Sequence, residues 1–170
     1  MAYAAWSVSF GEQPSAAKWN ILGTNDATFD ALVGSGTAWS SWTPTLTNMS
    51  IGNGTVSGRY QQFGKTVFAK LYITFGSTTS VSGAITATFP VTSSSTVYTS
   101  IGSEIGTGAC IDAAVAHYPA SLKWASTTTF RWRPHTASGT YATESDTTST
   151  APFTWATGDG LSANLTYEAA

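Results

Sequence analysis

"KTVFAKLYITF" (Lys65–Phe75) decides the fold. Apolar side chains recur at every second position: Val67, Ala69, Leu71, Ile73 and Phe75 point one way, while Phe68, Lys70, Tyr72 and Thr74 point the other. A period of two over eleven residues is the pattern of a strand with one buried face, and the β-branched and aromatic content agrees with it. The same pattern returns on both sides. "AITATFP" (Ala84–Pro90) gathers Ile85, Ala87 and Phe89, and "LSANLTYEA" (Leu161–Ala169) gathers Leu161, Ala163, Leu165 and Tyr167. "STTTFRWRPH", "GTYATES" and "APFTWATGDG" add short segments rich in Thr and aromatics between Gly, Pro, Asn and Asp, and "GNGT" (Gly52–Thr55) reads as a hairpin turn. No strand–helix–strand alternation appears. The expected fold is all-β, an antiparallel β-sandwich or jelly roll of about 8–10 strands by the spacing of these segments, preceded by one short α-helix.

That helix comes from "FGEQPSAAKWNILGTNDATFDAL" (Phe10–Leu32). Pro14 suits a first helical turn, where its missing N–H would go unpaired in any case. Trp19, Leu22, Phe29 and Val33 then fall on one stripe, interrupted by Asp26 and weakened by Gly23. So short and flawed a helix does not persist alone in water, so its stripe must be covered by something. "VGSGTAWSS" (Val33–Ser41) reads as a hinge. The chain is thus expected to divide into a docking or trimerisation segment, 1–36, and a β-domain, 37–170.

Composition narrows the functions. Of 170 residues, 42% are hydrophobic and 13% aromatic, so the chain folds, yet only 9% are charged, against about 25% in an ordinary domain. A surface so poor in charge is a weak guard against association and points to a chain that lives beside copies of itself or in a larger assembly. A net charge of −2 with scattered cations argues against nucleic-acid binding. Apolar runs fall short of the ~20 residues of a membrane span. The start "MAYAAWSVSF" has neither the positive nor the apolar region of a signal peptide, so synthesis in a cytoplasm is expected.

Catalytic and metal chemistry find little support. Cys110 stands alone in an apolar run, a small buried hydrophobe by preference, although Cys110 and His117 could also form a nucleophile pair. His117 and His135 lack carboxylates at ligand spacing. Glu104, Asp112, Glu144, Asp146, Asp159 and Glu168 could pair in space for glycoside hydrolysis, but so few acids suit loop and surface roles better. The expectation is no catalytic residue, no metal and no cofactor. Binding is the alternative. Trp39, Trp42, Trp124, Trp132 and Trp155, with Tyr60, Tyr98, Tyr118 and Tyr141, supply core or interface, with two or three left to stack on carbohydrate near loops. "RWRPHTASGTYATESDTTS" (Arg131–Ser149) is the candidate surface, with Arg131, Trp132, His135 and Tyr141 as host-ligand contacts.

"FGEQPSAAKWNILGTNDATFD" resembles an N-terminal segment recurrent in tail-fibre and minor tail proteins of tailed bacteriophages and prophages. "WTPTLTNMSIGNGTVSGRYQQFGKTVFAKLYITFGSTTSVSG" (Trp42–Gly83) and "PFTWATGDGLSANLTYEAA" (Pro152–Ala170) are similar to the ends of a β-sandwich module of such proteins, especially in actinobacterial phages. The resemblance covers about half the chain. It implies a non-enzymatic virion structural protein, a homotrimer that contacts other virion proteins, with the docking residues Trp19, Leu22, Phe29 and Val33 at its base and a β-domain facing outward. The expected place is the tail, as a tail fibre, tail tip or minor tail protein, with the loops of the β-domain binding a host-surface glycan. It leaves open a capsid decoration protein or head spike, since no long repeat or shaft is present. A carbohydrate-active enzyme is the third class.

Overall fold

The computed structural model describes residues 4, 5, 7, 9–33, 38–137 and 139–170, the side chains of 30–33 excepted. The chain forms two compact units, Met1–Ala38 and Trp39–Ala170.

The first unit is built on α1 (Ala16–Val33). Ser15 caps it: its Oγ accepts from the Lys18 backbone N–H at 3.4 Å and its carbonyl accepts from that of Trp19 at 3.0 Å. Pro14 therefore lies just before the cap, outside the first turn where the sequence puts it. Glu12 pairs with Lys18 across the entry to the helix and accepts from the Ser9 N–H at 3.0 Å. Thr24 and Thr28 turn their hydroxyls back to the carbonyls of Asn20 and Thr24, at 2.9 and 2.8 Å, so the polar middle is satisfied within the helix. Asn25 holds the preceding segment, its amide exchanging two 3.1 Å hydrogen bonds with the backbone of Ala4. Ile21, Asn25 and Thr28 are the half-covered side. The predicted stripe lies on the adjoining flank and is open: Trp19 is 56% and Phe29 53% exposed, and Leu22 is exposed as well. The side chain of Val33, and most of the hinge at 34–37, lie outside the described residues.

The second unit is antiparallel throughout. Its strands are β1 (Ser40–Trp42), β2 (Leu46–Ser50), β3 (Thr55–Phe63), β4 (Thr66–Thr74), β5 (Ser80–Thr88), β6 (Glu104–Asp112), β7 (Ala116–Ser126), β8 (Thr129–Thr136), β9 (Thr143–Glu144) and β10 (Gly160–Glu168). Nine run in the order β1-β3-β4-β10-β6-β7-β8-β5-β2, with β9 paired to the end of β8. The expected sandwich of two separate sheets is replaced by one curled, hydrogen-bonded sheet. Curling brings the two ends over a common core, where Trp42 of β1 meets Phe130 of β8 at 6.4 Å and Phe89, after β5, meets Tyr167 of β10 at 4.6 Å. Alternation holds as read. Val67, Ala69, Leu71, Ile73 and Phe75 are buried, as are Ile85, Ala87 and Phe89, and Leu161, Ala163, Leu165 and Tyr167.

Two glycines fix local geometry. Gly64 takes φ +56° at the first central position of the two-residue β3–β4 turn, as a type II′ hairpin needs. Gly58 lies between Trp42 and Leu71 in register. A methyl group there would meet the Trp42 carbonyl oxygen at 2.4 Å and its indole at 2.9 Å. Its missing side chain is what lets the Trp42 ring turn into the core. Gly58→Ala is expected to destabilise the fold by about 1–3 kcal/mol as an overpacking change; an unchanged urea midpoint would show that the β1 edge does not depend on this contact.

Candidate functional site

The predicted surface at Arg131–Ser149 separates into three parts. Strand alternation sends Phe130, Trp132 and Pro134 inward and Arg131, Arg133 and His135 outward. Trp132 is fully buried and its indole N–H donates to the Ser162 carbonyl at 2.8 Å. It offers no face to a ligand, which corrects its assignment as a contact residue. Tyr141 stands apart on the β8–β9 connection, 81% exposed. Arg131 and His135 do share one polar face, but inside an ion-pair network. Lys123 lies 3.2 Å from Glu104 and 3.1 Å from Glu144, Arg131 is 3.3 Å from Asp146, and Arg133 is 3.8 Å from both Glu144 and Asp146.

This network balances its charges, although Arg131 Nε, Arg133 Nε and Asp146 Oδ1 are buried in it without a hydrogen bond. Three cations answer three carboxylates, leaving His135, whose Nε2 sits 2.9 Å from the Ser121 hydroxyl and 3.8 Å from Glu144. Serine and carboxylate thus face the same ring nitrogen, whereas a nucleophile relay needs them on opposite nitrogens. Ser121 is itself buried. Burial alone would raise the Glu144 carboxyl, but hydrogen bonds from Ser121 and Lys123, with the charges of Lys123 and His135, hold it below the usual carboxylate value. Burial likewise works against the Lys123 charge, and the hydrogen bonds to Glu144 and Glu104 outweigh it and hold its pKa above the ordinary one.

The other candidates resolve into structure. Cys110 is buried and its thiol is pushed up to about 12 by that burial. In register it lies beside Tyr118, while His117 lies beside Ile111 on the opposite face of the sheet, so the two do not pair. Asp159 is buried, accepting from the Ala113 and Ala156 N–H groups at 2.9 and 2.6 Å. Trp124 donates to Ser93 Oγ and Trp155 to the Thr148 carbonyl, both at 2.8 Å. Among the described residues no three of His, Cys, Asp and Glu gather as a metal site, and no helix is long and apolar enough to cross a membrane.

Trp39 behaves differently from the other four tryptophans of the β-unit. It is exposed, and the Lys70 ammonium stands 5.7 Å from its ring centre. Around it runs a groove on the outer face of β3, β4 and β10. One part, about 530 Å³, is lined by Trp39, Ser57, Arg59, Lys70, Tyr72, Ser162 and Asn164, among others. A second, about 370 Å³, shares Trp39, Lys70 and Asn164 and adds Gln61, Phe63, Phe68 and Thr166. The register sets its floor in three rungs: Ser57–Tyr72–Ser162, Arg59–Lys70–Asn164 and Gln61–Phe68–Thr166. Phe68 and Tyr72 are exposed on either side of Lys70. Both volumes suit a small ligand, and the furnishing of aromatic faces, amides, hydroxyls and cations suits one that stacks and hydrogen-bonds together. Of these residues the sequence singled out Trp39. The outward set of β4, Phe68, Lys70 and Tyr72, carried the remaining signal, since a plain solvent face in this chain is Ser and Thr.

No family model, curated protein or solved structure matches the chain.

Two outcomes test these placements. Trp132→Ala should cost about 3–5 kcal/mol as a large core deletion, read by chemical denaturation, whereas Tyr141→Ala should stay within about 0.5 kcal/mol; equal, small effects would put Trp132 back on the surface. The second concerns pH. Because the folded Glu144 carboxyl lies below its ordinary value of 4.5, its contribution is present above that pH and is lost as pH falls through the folded value. Wild type should therefore lose more stability than Glu144→Gln between pH 6 and 3, and parallel melting curves would remove Glu144 from this role.

Proposed function

We propose that the chain is a non-enzymatic structural protein of a tailed-phage particle, docking through its helical unit and turning its β-unit toward the host surface. The observation that carries this reading is the open stripe of Trp19, Leu22 and Phe29 on a helix that forms a unit of its own. Large apolar side chains left in water are a cost that a neighbour removes, at roughly 1.5–3 kcal/mol for each one fully buried. A hollow of about 430 Å³ beside Trp19, Leu22, Gly23 and Asp26 gives a partner side chain somewhere to enter. Three copies of the helix meeting along this stripe make the homotrimer that the sequence resemblance implies, and the same stripe fits a groove on another virion protein.

The β-unit supplies the outward end. Its groove at Trp39 and Lys70 is a carbohydrate-type surface: exposed aromatic faces beside amide, hydroxyl and cationic groups. The curl that sets the two ends of the sheet across one core serves, on this reading, in place of the sandwich module of the phage proteins whose segments the sequence resembles. A single curled sheet is also compact, which keeps the head-decorating alternative beside the tail-tip one. Imaging labelled particles separates them by position.

The docking claim is tested in the full chain. At micromolar concentration it should sediment as an oligomer and enter particles, and Trp19→Ser with Phe29→Ser should give a folded monomer that is left out. A wild-type chain that sediments as a monomer would end the trimer, and one that also enters particles no better than the double variant would end the reading.

A further inference from the structure

The β-unit twice sets a cation directly across from a cation on the neighbouring strand. Lys123 faces Arg131 between β7 and β8, and Arg59 faces Lys70 between β3 and β4. Like charges in register repel and destabilise the pair. At the first rung the fold supplies its own remedy, Glu104, Glu144 and Asp146. At the second it supplies no acid: Lys70 has the face of Trp39 at 5.7 Å, but among the described residues neither Arg59 nor Lys70 has a carboxylate partner, and no Asp or Glu lines the groove. In a chain with seven cations and a net charge of −2, a cation pair without a counter-charge is a cost that one indole face offsets only in part.

We infer that the groove binds an acidic oligosaccharide, its carboxylate or phosphate held by Arg59 and Lys70 and its sugar rings lying against Trp39 and Tyr72. This rests on the glycan-binding reading above and adds the charge of the ligand. Geometry favours a chain of sugars over a bare anion. Phe68 and Tyr72 stand four residues apart on one strand, roughly 13 Å at about 3.3 Å per residue, with the cation rung between them. An inorganic anion would use the rung and leave the aromatic faces wet. A nucleic acid is the poorer match, because two cations neutralise few phosphates of a polymer that carries one on every nucleotide.

The test uses the full chain, following backbone amide shifts of β3, β4 and β10 by NMR, with three probes: tetragalacturonate, uncharged maltotetraose and inorganic phosphate. Tetragalacturonate should bind about tenfold or more tightly than maltotetraose and weaken with salt, as charge-assisted hydrogen bonds predict. Arg59→Gln and Lys70→Gln should each remove most of that preference. Arg59→Gln should not lower the thermal midpoint, because it relieves the repulsion between the two and breaks no ion pair or hydrogen bond among the described residues, and this separates a lost site from a lost fold. Trp39→Ala should weaken both saccharides. A phosphorylated tetrasaccharide in place of tetragalacturonate shows which anion the rung prefers, and tighter binding of either over the neutral probe supports the inference. Equal binding of tetragalacturonate, its phosphorylated counterpart and maltotetraose overturns the acidic ligand and leaves the glycan reading standing. Phosphate binding that survives Trp39→Ala, with no saccharide bound, overturns both.

Discussion

The β-unit depends on one strand being paired on both edges. β10 matches β4 over nine residue pairs, Gly160–Glu168 against Thr74–Thr66, and β6 over six. Without it the β3–β4 hairpin and the β6–β7–β8 meander are two pieces, each with an open edge and an uncovered apolar face. Its inward side chains, Leu161, Ala163, Leu165 and Tyr167, lie in the middle of the core. Its ends are tied further: Trp132 donates to the Ser162 carbonyl, and the Tyr167 hydroxyl donates to the Val91 carbonyl at 2.7 Å while accepting from the Val91 N–H at 3.2 Å. These pairings join residues far apart in the chain, so the entropy of closing long loops is met before the sheet gains from them. The same strand has a second task on its outer face, where Ser162, Asn164 and Thr166 floor the groove. Core and candidate site share one backbone.

How much of this could be read from residues alone follows from range. Alternation is local, so Lys65–Phe75 and Leu161–Tyr167 sort into inward and outward sets residue by residue as their period predicts. Strand order is not local. Nothing in the composition of β10 says that it enters between β4 and β6, and a sandwich and a curled single sheet bury the same alternating face. Trp132 is the instructive error. Flanked by Arg131 and Arg133 and followed by His135, it looks like part of a polar surface, yet the same six residues alternate Phe130, Trp132, Pro134 against Arg131, Arg133, His135. A strand's second face makes charged neighbours uninformative about the residue between them. The groove was legible in part, through Trp39 and the aromatic outward set of β4, but Arg59 joins Lys70 only through pairing that the hairpin register decides.

The outer face of the sheet shows how a chain with few charges spends them. A single rung can be followed from Arg59 through Lys70, Asn164, Thr107 and Ser121 to Arg133. One end is the bare cation pair under Trp39; the other enters the neutral network of Lys123, Arg131 and Arg133 with Glu104, Glu144 and Asp146. Between them lie an amide and two hydroxyls. Six of the sixteen Asp, Glu, Lys and Arg side chains are committed to that network, where partial burial makes the pairing matter more than at an open surface. With so many charges neutralised within the fold, the field of the outer face is set by the few that remain, and near the groove those are positive.

A groove of this kind binds weakly by itself. Open to solvent and floored by short polar side chains, it orders a flexible saccharide at an entropy cost close to what a few stacking and hydrogen-bonding contacts return. Its usefulness on the proposed reading therefore comes from the other unit. If α1 buries Trp19, Leu22 and Phe29 against copies of itself, three grooves are presented together, and sites with millimolar affinity gain avidity on the order of 10²-fold or more on a repeating surface polymer. The two departures from ordinary surface chemistry, an apolar stripe left open on a helix and a cation pair left bare on a sheet, then have one explanation. Each is unfavourable in the isolated chain, and on the proposed reading each is relieved by a partner: a copy of the chain at the helix, an anionic polymer at the sheet.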